Sequence, residues 1–302
     1  MSIVEKFPFI SLSRVWLILS GALMVGSIVA IAIFGLNFGI DFTGGSLLEI
    51  KPASAIEISD LQANIQAFGY ESTIQNSSSG TMLIRTRTLT QEEHSLLLDS
   101  LQVTYGEDLQ ELRYEAIGPT FGEELKKKSI VAVIVLSVLI IAYIAWAFRH
   151  VSKPVASWKY GLLTILAGLH DILLPVGVFA VLGHYWGYQI DTAFIAAILT
   201  IMGYSINDTI VVFDRTRENL HKNRHTDVSF GEIVNSSIVQ TFARSINTTL
   251  TTLLTLIAIF IFGGESTRPF VLALIIGITS GAYSSIFLAS PLLVLWEKWQ
   301  KK

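Results

Sequence analysis

ILTIMGYSINDTIVVFDRTREN, Ile198–Asn219, decides how the rest of the chain is read. It begins as an apolar helix and carries Asn207 and Asp208 side by side. Asp214, Arg215, Arg217 and Glu218 follow where the apolar phase ends. An acid in hydrocarbon costs about 2.5–3.5 kcal/mol on insertion scales, so it needs a partner or a task. The stretch therefore reads as the working helix of a membrane transport machine. Thr200, Tyr204 and Val211 share the helical face of Asp208. Counted from Phe213 at 1.5 Å per residue, Asp208 is only about 8 Å deep. An acid solvated at the cytoplasmic end is thus an open alternative.

The composition supports a membrane setting. Of 302 residues, 51% are hydrophobic and 15% are charged, against roughly 25% charged in soluble domains. The net charge of -3 gives no basis for nucleic-acid binding. With no cysteine, disulfides and thiolate metal sites are excluded. The six histidines show no metal-ligand spacing. No metal, cofactor or enzymatic activity is expected.

Working outward, six runs approach the roughly 20 apolar residues a bilayer requires. They lie near Trp16–Leu36, Ile130–Phe148, Tyr160–Leu182, Ile190–Phe213, Ile246–Phe262 and Phe270–Trp296. The first has an apolar core longer than that of a signal peptide and no clear cleavage site, so it is kept as a membrane helix. Arg149, Lys153 and Lys159 mark one short loop. Arg215, Arg217, Lys222, Arg224 and Arg244 mark another, and Lys298, Lys301 and Lys302 mark the C-terminus. These place both termini in the cytoplasm. Lys126–Lys128 disagree, but their loop exceeds the roughly 60 residues to which the rule applies. The inner loop 214–244 mixes both signs of charge; it reads as a solvated helical hairpin, with a docking site as the alternative.

The expected domains are 1–36, with the first membrane helix; 37–128, an extracytoplasmic domain; and 129–302, a five-helix bundle. Within 37–128, strands are expected at Ser46–Lys51, Glu71–Gln75, Met82–Arg87 and Glu111–Ile117. Helices are expected at Ile56–Phe68 and Thr90–Tyr105, the second opened by a Thr90-x-x-Glu93 capping box. The polar turn Asn76–Gly80 joins the two middle strands. The order β-α-β-β-α-β is that of a ferredoxin-like domain; a plug or spacer is the plain alternative. The fold class expected is thus an α-helical polytopic membrane protein of six transmembrane helices, with a ferredoxin-like α+β domain between helices 1 and 2.

Inside the membrane, Asp171 follows His170 near the middle of the third run. A structural acid bonded to a neighbouring hydroxyl is its alternative reading, and His170 reads as a packing residue. Arg244, Thr248, Thr251 and Thr255 share a face of the fifth helix, flanked by Asn247 and Thr252. The threonines suit either chemistry or interhelix contact. Arg244 carries a permanent charge and can hold a nearby carboxylate ionised, or else snorkel to the cytoplasm as an anchor. Gly277-xxx-Gly281-xxx-Ser285, with Ser280 and Ser284, forms a small-residue face on the sixth helix. It is assigned packing and no chemistry, and is a candidate surface for a partner helix. Two intramembrane acids, an arginine and a threonine face suit proton coupling better than hydrolysis.

GLNFGIDFTGGSLLEI (Gly35–Ile50) and GYSINDTIVVFDRTREN (Gly203–Asn219) resemble the SecD/SecF family of bacterial protein-export membrane proteins, on its SecF side. IGPTFGEEL (Ile117–Leu125), LHD (Leu169–Asp171), QTFARSINTTLTTLL (Gln240–Leu254) and FGG (Phe262–Gly264) support the resemblance, which runs from about residue 10 to 296. That family is similar to the resistance-nodulation-division transporters. One six-helix set fits a separate SecF and not a SecD–SecF fusion.

The resemblance implies a bacterial cytoplasmic-membrane protein partnered by SecD and the SecYEG channel. It implies use of the proton motive force to promote export of unfolded polypeptide, with membrane lipid, protons and the translocating chain as its other partners. It makes Asp208 and Arg244 proton-pathway residues and gives Asp171 a less defined part. Asn207 and Thr248 are grouped with them by adjacency. Asp41, Gly44 and Gly45 of the DFTGG segment form either a hinge to the outer domain or a plain tight turn. An exporter of lipids or small molecules from the same superfamily is the competing reading, and a scaffold without transport work is a third.

Overall fold

The computed structural model describes residues 7–76, 80–149 and 154–300. Lys153, Lys301 and Lys302, used for orientation, and residues 77–79 of the expected polar turn lie outside the described residues. Contacts divide the chain into a helical unit (Met1–Leu36, Ala132–Tyr188, Ala193–Lys302) and a sheet unit (Asn37–Val131, Gln189–Thr192).

Among the described residues, six helical segments are long and apolar enough to cross a membrane. They are α1 (Ser13–Phe34), α5 (Pro119–Ala147), α6 (Ser157–Trp186), α7 (Thr192–Lys222), α8 (Phe230–Phe262) and a last composite segment. The composite runs through a 3-10 turn (Glu265–Thr267), α9 (Arg268–Ser284), a π-helical turn (Ser285–Ala289) and α10 (Ser290–Gln300). Exposed leucine, isoleucine and valine side chains on α1, α5 and α8 present apolar surface to the bilayer.

Three helices reach well beyond their apolar runs. α5 begins at Pro119 and not near Ile130. α7 continues to Lys222, and α8 begins at Phe230, not at Ile246. The hairpin expected at 214–244 is therefore mostly an extension of membrane helices. Its inner face is buried rather than solvated. Thr216, Asn219, Ile233, Val234, Ser237 and Ile238 are covered, and Asn219 Nδ2 donates to Ser237 Oγ at 2.9 Å and Gln240 Oε1 at 3.0 Å. Ser229 opens α8 in a reciprocal cap with Glu232.

Small residues set the helix crossings. α1 lies along α6, where a Cβ at Gly177 would stand 2.5 Å from Ser27 Cβ. Gly277 lies under the Ile201 side chain, and a Cβ on Gly281 would stand 3.1 Å from Ser205 Cβ. The small-residue face of the sixth span is thus spent inside the bundle against α7. It is not a free surface for a partner helix.

The sheet unit has the element order α2 (Ile40–Thr43), β1 (Gly45–Lys51), α3 (Ile58–Ala67), β2 (Thr73–Asn76), β3 (Met82–Thr86), α4 (Gln91–Tyr105) and β4 (Gln110–Ile117). Its four strands are antiparallel in the order β2-β3-β1-β4. The β1–β4 register shifts between Glu49 and Ile50, leaving Leu112 unpaired in a bulge. Leu48, Ile50, Met82 and Ile84 from the strands meet Leu61 and Ile65 of α3 and Leu97 and Leu101 of α4 in one core. Thr90 caps α4: its hydroxyl accepts from Glu93 N at 3.3 Å, and Glu93 Oε2 accepts from Thr90 N at 2.8 Å.

Candidate functional site

The two acids lie inside the helical unit, each near the middle of its helix. Asp171, on α6, is 0% exposed, and Asp208, on α7, is 5% exposed. Asp208 is therefore a buried acid and not a solvated one. A buried carboxylate requires hydrogen-bond donors, and both acids receive theirs from serine.

Ser245 Oγ of α8 donates to Asp208 Oδ1 at 2.7 Å, and Ser285 Oγ donates to Asp208 Oδ2 at 2.8 Å. Around Asp171, Ser280 Oγ donates to Oδ1 at 2.6 Å. Ser205 and Ser284 both donate to Oδ2 at 2.5 Å. His170 Nδ1 lies 2.9 Å from Asp171 Oδ1, and its Nε2 is buried without a partner. His170 therefore belongs to the polar cluster and is not only a packing residue. The hydroxyl-bonded alternative for Asp171 describes its geometry well.

Two prolines remove backbone donors near these points. Pro175 lacks the N–H that would bond the Asp171 carbonyl four residues back. Pro291 likewise interrupts the ladder just after the π-turn. Ser290 Oγ donates to the Ser285 carbonyl at 2.9 Å.

The other expected site residues sit elsewhere. Arg244, Asn247, Thr248, Thr251 and Thr255 of α8 are exposed, as are Asn207 and Thr200 of α7. Thr248 Oγ1 bonds the Arg244 carbonyl at 3.0 Å within its own helix. Tyr204 joins the two helices through its hydroxyl, 3.4 Å from Thr252 Oγ1. Among the described residues Arg244 makes no ion pair; its charge and that of Asp171 act on Asp208 through space. These side chains form a polar strip along one surface of the helical unit. Residue 255 stands about 16 Å along the axis from residue 244. Sequence spacing placed Thr200 and Tyr204 beside Asp208, yet its partners are Ser245 and Ser285. A serine adjacent to Arg244 and the Ser280, Ser284, Ser285 set were the available signals.

Asp41 is also engaged. In the sheet unit its Oδ2 accepts from Thr192 N at 2.7 Å and Thr192 Oγ1 at 2.6 Å. Gly44 has φ 73° and Gly45 has φ 129°, in the region that favours glycine. A Cβ on Gly44 would stand 2.7 Å from Pro119 Cα, and one on Gly45 would stand 2.7 Å from the Thr86 carbonyl oxygen. The segment is a short helix followed by a crowded turn. Among the described residues no three His, Asp or Glu side chains converge as metal ligands would.

The family profile "Protein export membrane protein SecD/SecF, C-terminal" matches residues 98–299, and the "SecD/SecF GG Motif" profile matches 29–55. The chain belongs to the SecD/SecF family. It is 42% identical to the protein translocase subunit SecF of Thermobaculum terrenum, over 93% of this chain and 90% of that one. It superposes on the crystal structure of SecDF, a translocon-associated membrane protein from Thermus thermophilus, with a TM-score of 0.84 and 35% identity. That match covers 99% of this chain and 40% of SecDF. A second SecDF structure, in a super-membrane-facing form, matches with a TM-score of 0.71 and 34% identity, over 100% of this chain and 40% of that one. The GG profile spans Asp41, Gly44 and Gly45, and the larger SecD/SecF profile spans both buried acids. This SecD/SecF member is a multi-pass membrane protein.

Proposed function

We propose that this chain is an auxiliary subunit of the Sec protein translocase which, with SecD, uses the proton motive force to promote export of unfolded polypeptide. The observation that carries the reading is Asp208: a carboxylate buried at mid-helix whose hydrogen bonds, among the described residues, come from serine hydroxyls. Neutral donors can serve a carboxylate or a carboxylic acid, so the site tolerates loading and unloading of a proton. The translocase names of its relatives support the export role. The chain acts as a transport subunit and not as an enzyme. It sits in the bacterial cytoplasmic membrane beside the SecYEG channel.

Both termini are cytoplasmic and residues 37–128 are extracytoplasmic, as the Lys and Arg of the short loops favour. We read that domain as ferredoxin-like, on its strand and helix order. Asp41, Gly44 and Gly45 serve as its pivot. The exporter alternative needs an apolar entrance in that domain. The cavity there, about 810 Å³, is lined by such polar groups as Gln62, Gln66, Thr73 and Arg85.

The test is Asp208→Asn in inverted vesicles carrying SecD and the channel. Stimulation of export by a proton gradient is lost while co-purification with SecD persists. Normal stimulation would refute the reading.

A further inference from the structure

We propose that the π-turn Ser285–Ala289 joins the two buried acids into one proton-responsive unit, with Ser284 and Ser285 as positioning residues and Asp171 as a second proton-holding group. The proposal rests on the reading of Asp208 as a proton-binding residue and adds where its charge is felt.

Neighbouring residues of an α-helix point about 100° apart, so two adjacent serines can serve two acids on different helices. Here Ser284, the last residue of α9, reaches Asp171 on α6, and Ser285, the first of the π-turn, reaches Asp208 on α7. Three residues before Asp208, Ser205 of α7 reaches Asp171 as well. The acids and the turn are therefore laced together through α7 and the sixth span at once.

Each of the two serines has a second acceptor in its own preceding turn. Ser284 Oγ lies 3.3 Å from the Gly281 carbonyl, and Ser285 Oγ lies 3.2 Å from the Ala282 carbonyl. A hydroxyl has one proton, so it donates either to the carboxylate or to that carbonyl. When a proton binds Asp208, an O–H bond forms on the carboxylate and nothing else is broken. The acid then needs one donor fewer, and the Ser285 hydroxyl turns to Ala282. The change falls at the π-turn, where the Ser290 hydroxyl bonds the Ser285 carbonyl and Pro291 lacks an N–H. Such turns recur at functional sites because their ladder is already interrupted. Ser284 is the adjoining residue, so Asp171 receives the change next.

The titratable or charged groups facing the pair are few. Among the described residues, His170 of α6 touches Asp171, and Arg244 of α8 and Asp171 act on Asp208. Tyr283 of α9 lies beside the His170 ring, at 6.1 Å between centroids.

The test is infrared difference spectroscopy during a pH titration of the full chain reconstituted with SecD in vesicles. Wild type gives two carboxylic-acid bands, one lost in Asp208→Asn and the other in Asp171→Asn. Asp208→Asn shifts the midpoint of the Asp171 band by about one pH unit or more, the mark of coupled sites. On the Ser284→Ala/Ser285→Ala background the same replacement shifts it far less, and Ser285→Thr keeps the full shift. An Asp171 band that is absent, or whose midpoint ignores Asp208, overturns the proposal alone. Coupling that survives in the double alanine variant also overturns it alone. Absence of any Asp208 band overturns the proton reading and this proposal together.

Discussion

Gly281 of α9 rests on Ser205 of α7, with 3.1 Å between a Cβ added to the glycine and the Ser205 Cβ. The same serine donates to Asp171 at 2.5 Å, so helix spacing and acid solvation are set at one point. Gly281→Ala forces the helices apart and should cost about 1–3 kcal/mol. Thermal unfolding in detergent reads the loss. Adding Ser205→Gly removes the nearest contact and leaves the Ser205 Cα at 3.2 Å, and a double-mutant cycle should show recovery of part of the stability. Additive losses would show that the two residues do not press on each other.

Arg244 divides function from folding. It is exposed and makes no hydrogen bond to Asp208, whose own bonds come from Ser245 and Ser285. Arg244→Ala should change stability by no more than about 0.5 kcal/mol. In export assays the same variant should lose most of its response to a proton gradient. Stability and response are measured on one preparation, so a joint collapse would show Arg244 to be structural.

The DFTGG segment should respond residue by residue. Asp41→Ala removes the acceptor for Thr192 and should cost about 1 kcal/mol, with Asp41→Asn keeping most of it. Gly44→Ala meets both a φ of 73° and the Pro119 Cα at 2.7 Å. Strain of that kind costs of order 1–3 kcal/mol before the contact is counted. Thermal melts of the three variants, ranked, check the order Asn, then Ala at 41, then Ala at 44.

Glu93 gives the sheet unit an acid limit. Its bond to Arg87, and then the backbone N–H of Thr90, hold its carboxyl down at about 2. The unfolded value is about 4.3. The group therefore stabilises the cap of α4 above the unfolded value, and that contribution fades as pH falls from about 4 toward 2. Protection of the amides in the first turn of α4, taken relative to their intrinsic exchange rate at each pH, should fall over that window in the wild type. Glu93→Gln should show no such window.

The spans were legible because a bilayer demands length and apolarity, and composition reports both. Their ends were not. The N-terminal half of α8 buries Phe230, Val234 and Ile238 on one side only, so a search for continuous apolarity starts at Ile246. The strands and α4 were legible through alternation and the Thr90–Glu93 cap. Asp171 and Asp208 were legible because a lone acid in a run of leucine and isoleucine is costly. Their serine partners were not, since serine is an ordinary packing residue in membrane helices. α7 and α8 also carry polar groups on both sides. Thr200 and Thr248 turned out to face outward, and only the packing of α9 on α8 selects Ser245 as the inward one.

The outward strip of Asn207, Arg244, Asn247, Thr248, Thr251 and Thr255 has a consequence for the life of the chain in a cell. Lipid tails reject the strip, and water rejects the leucines and isoleucines around it, so the lone chain has no solvent suited to its whole surface. Made in excess of whatever covers the strip, the surplus should aggregate in the membrane or be cleared by proteolysis. Its steady-state abundance would then follow the supply of that covering surface and not its own rate of synthesis.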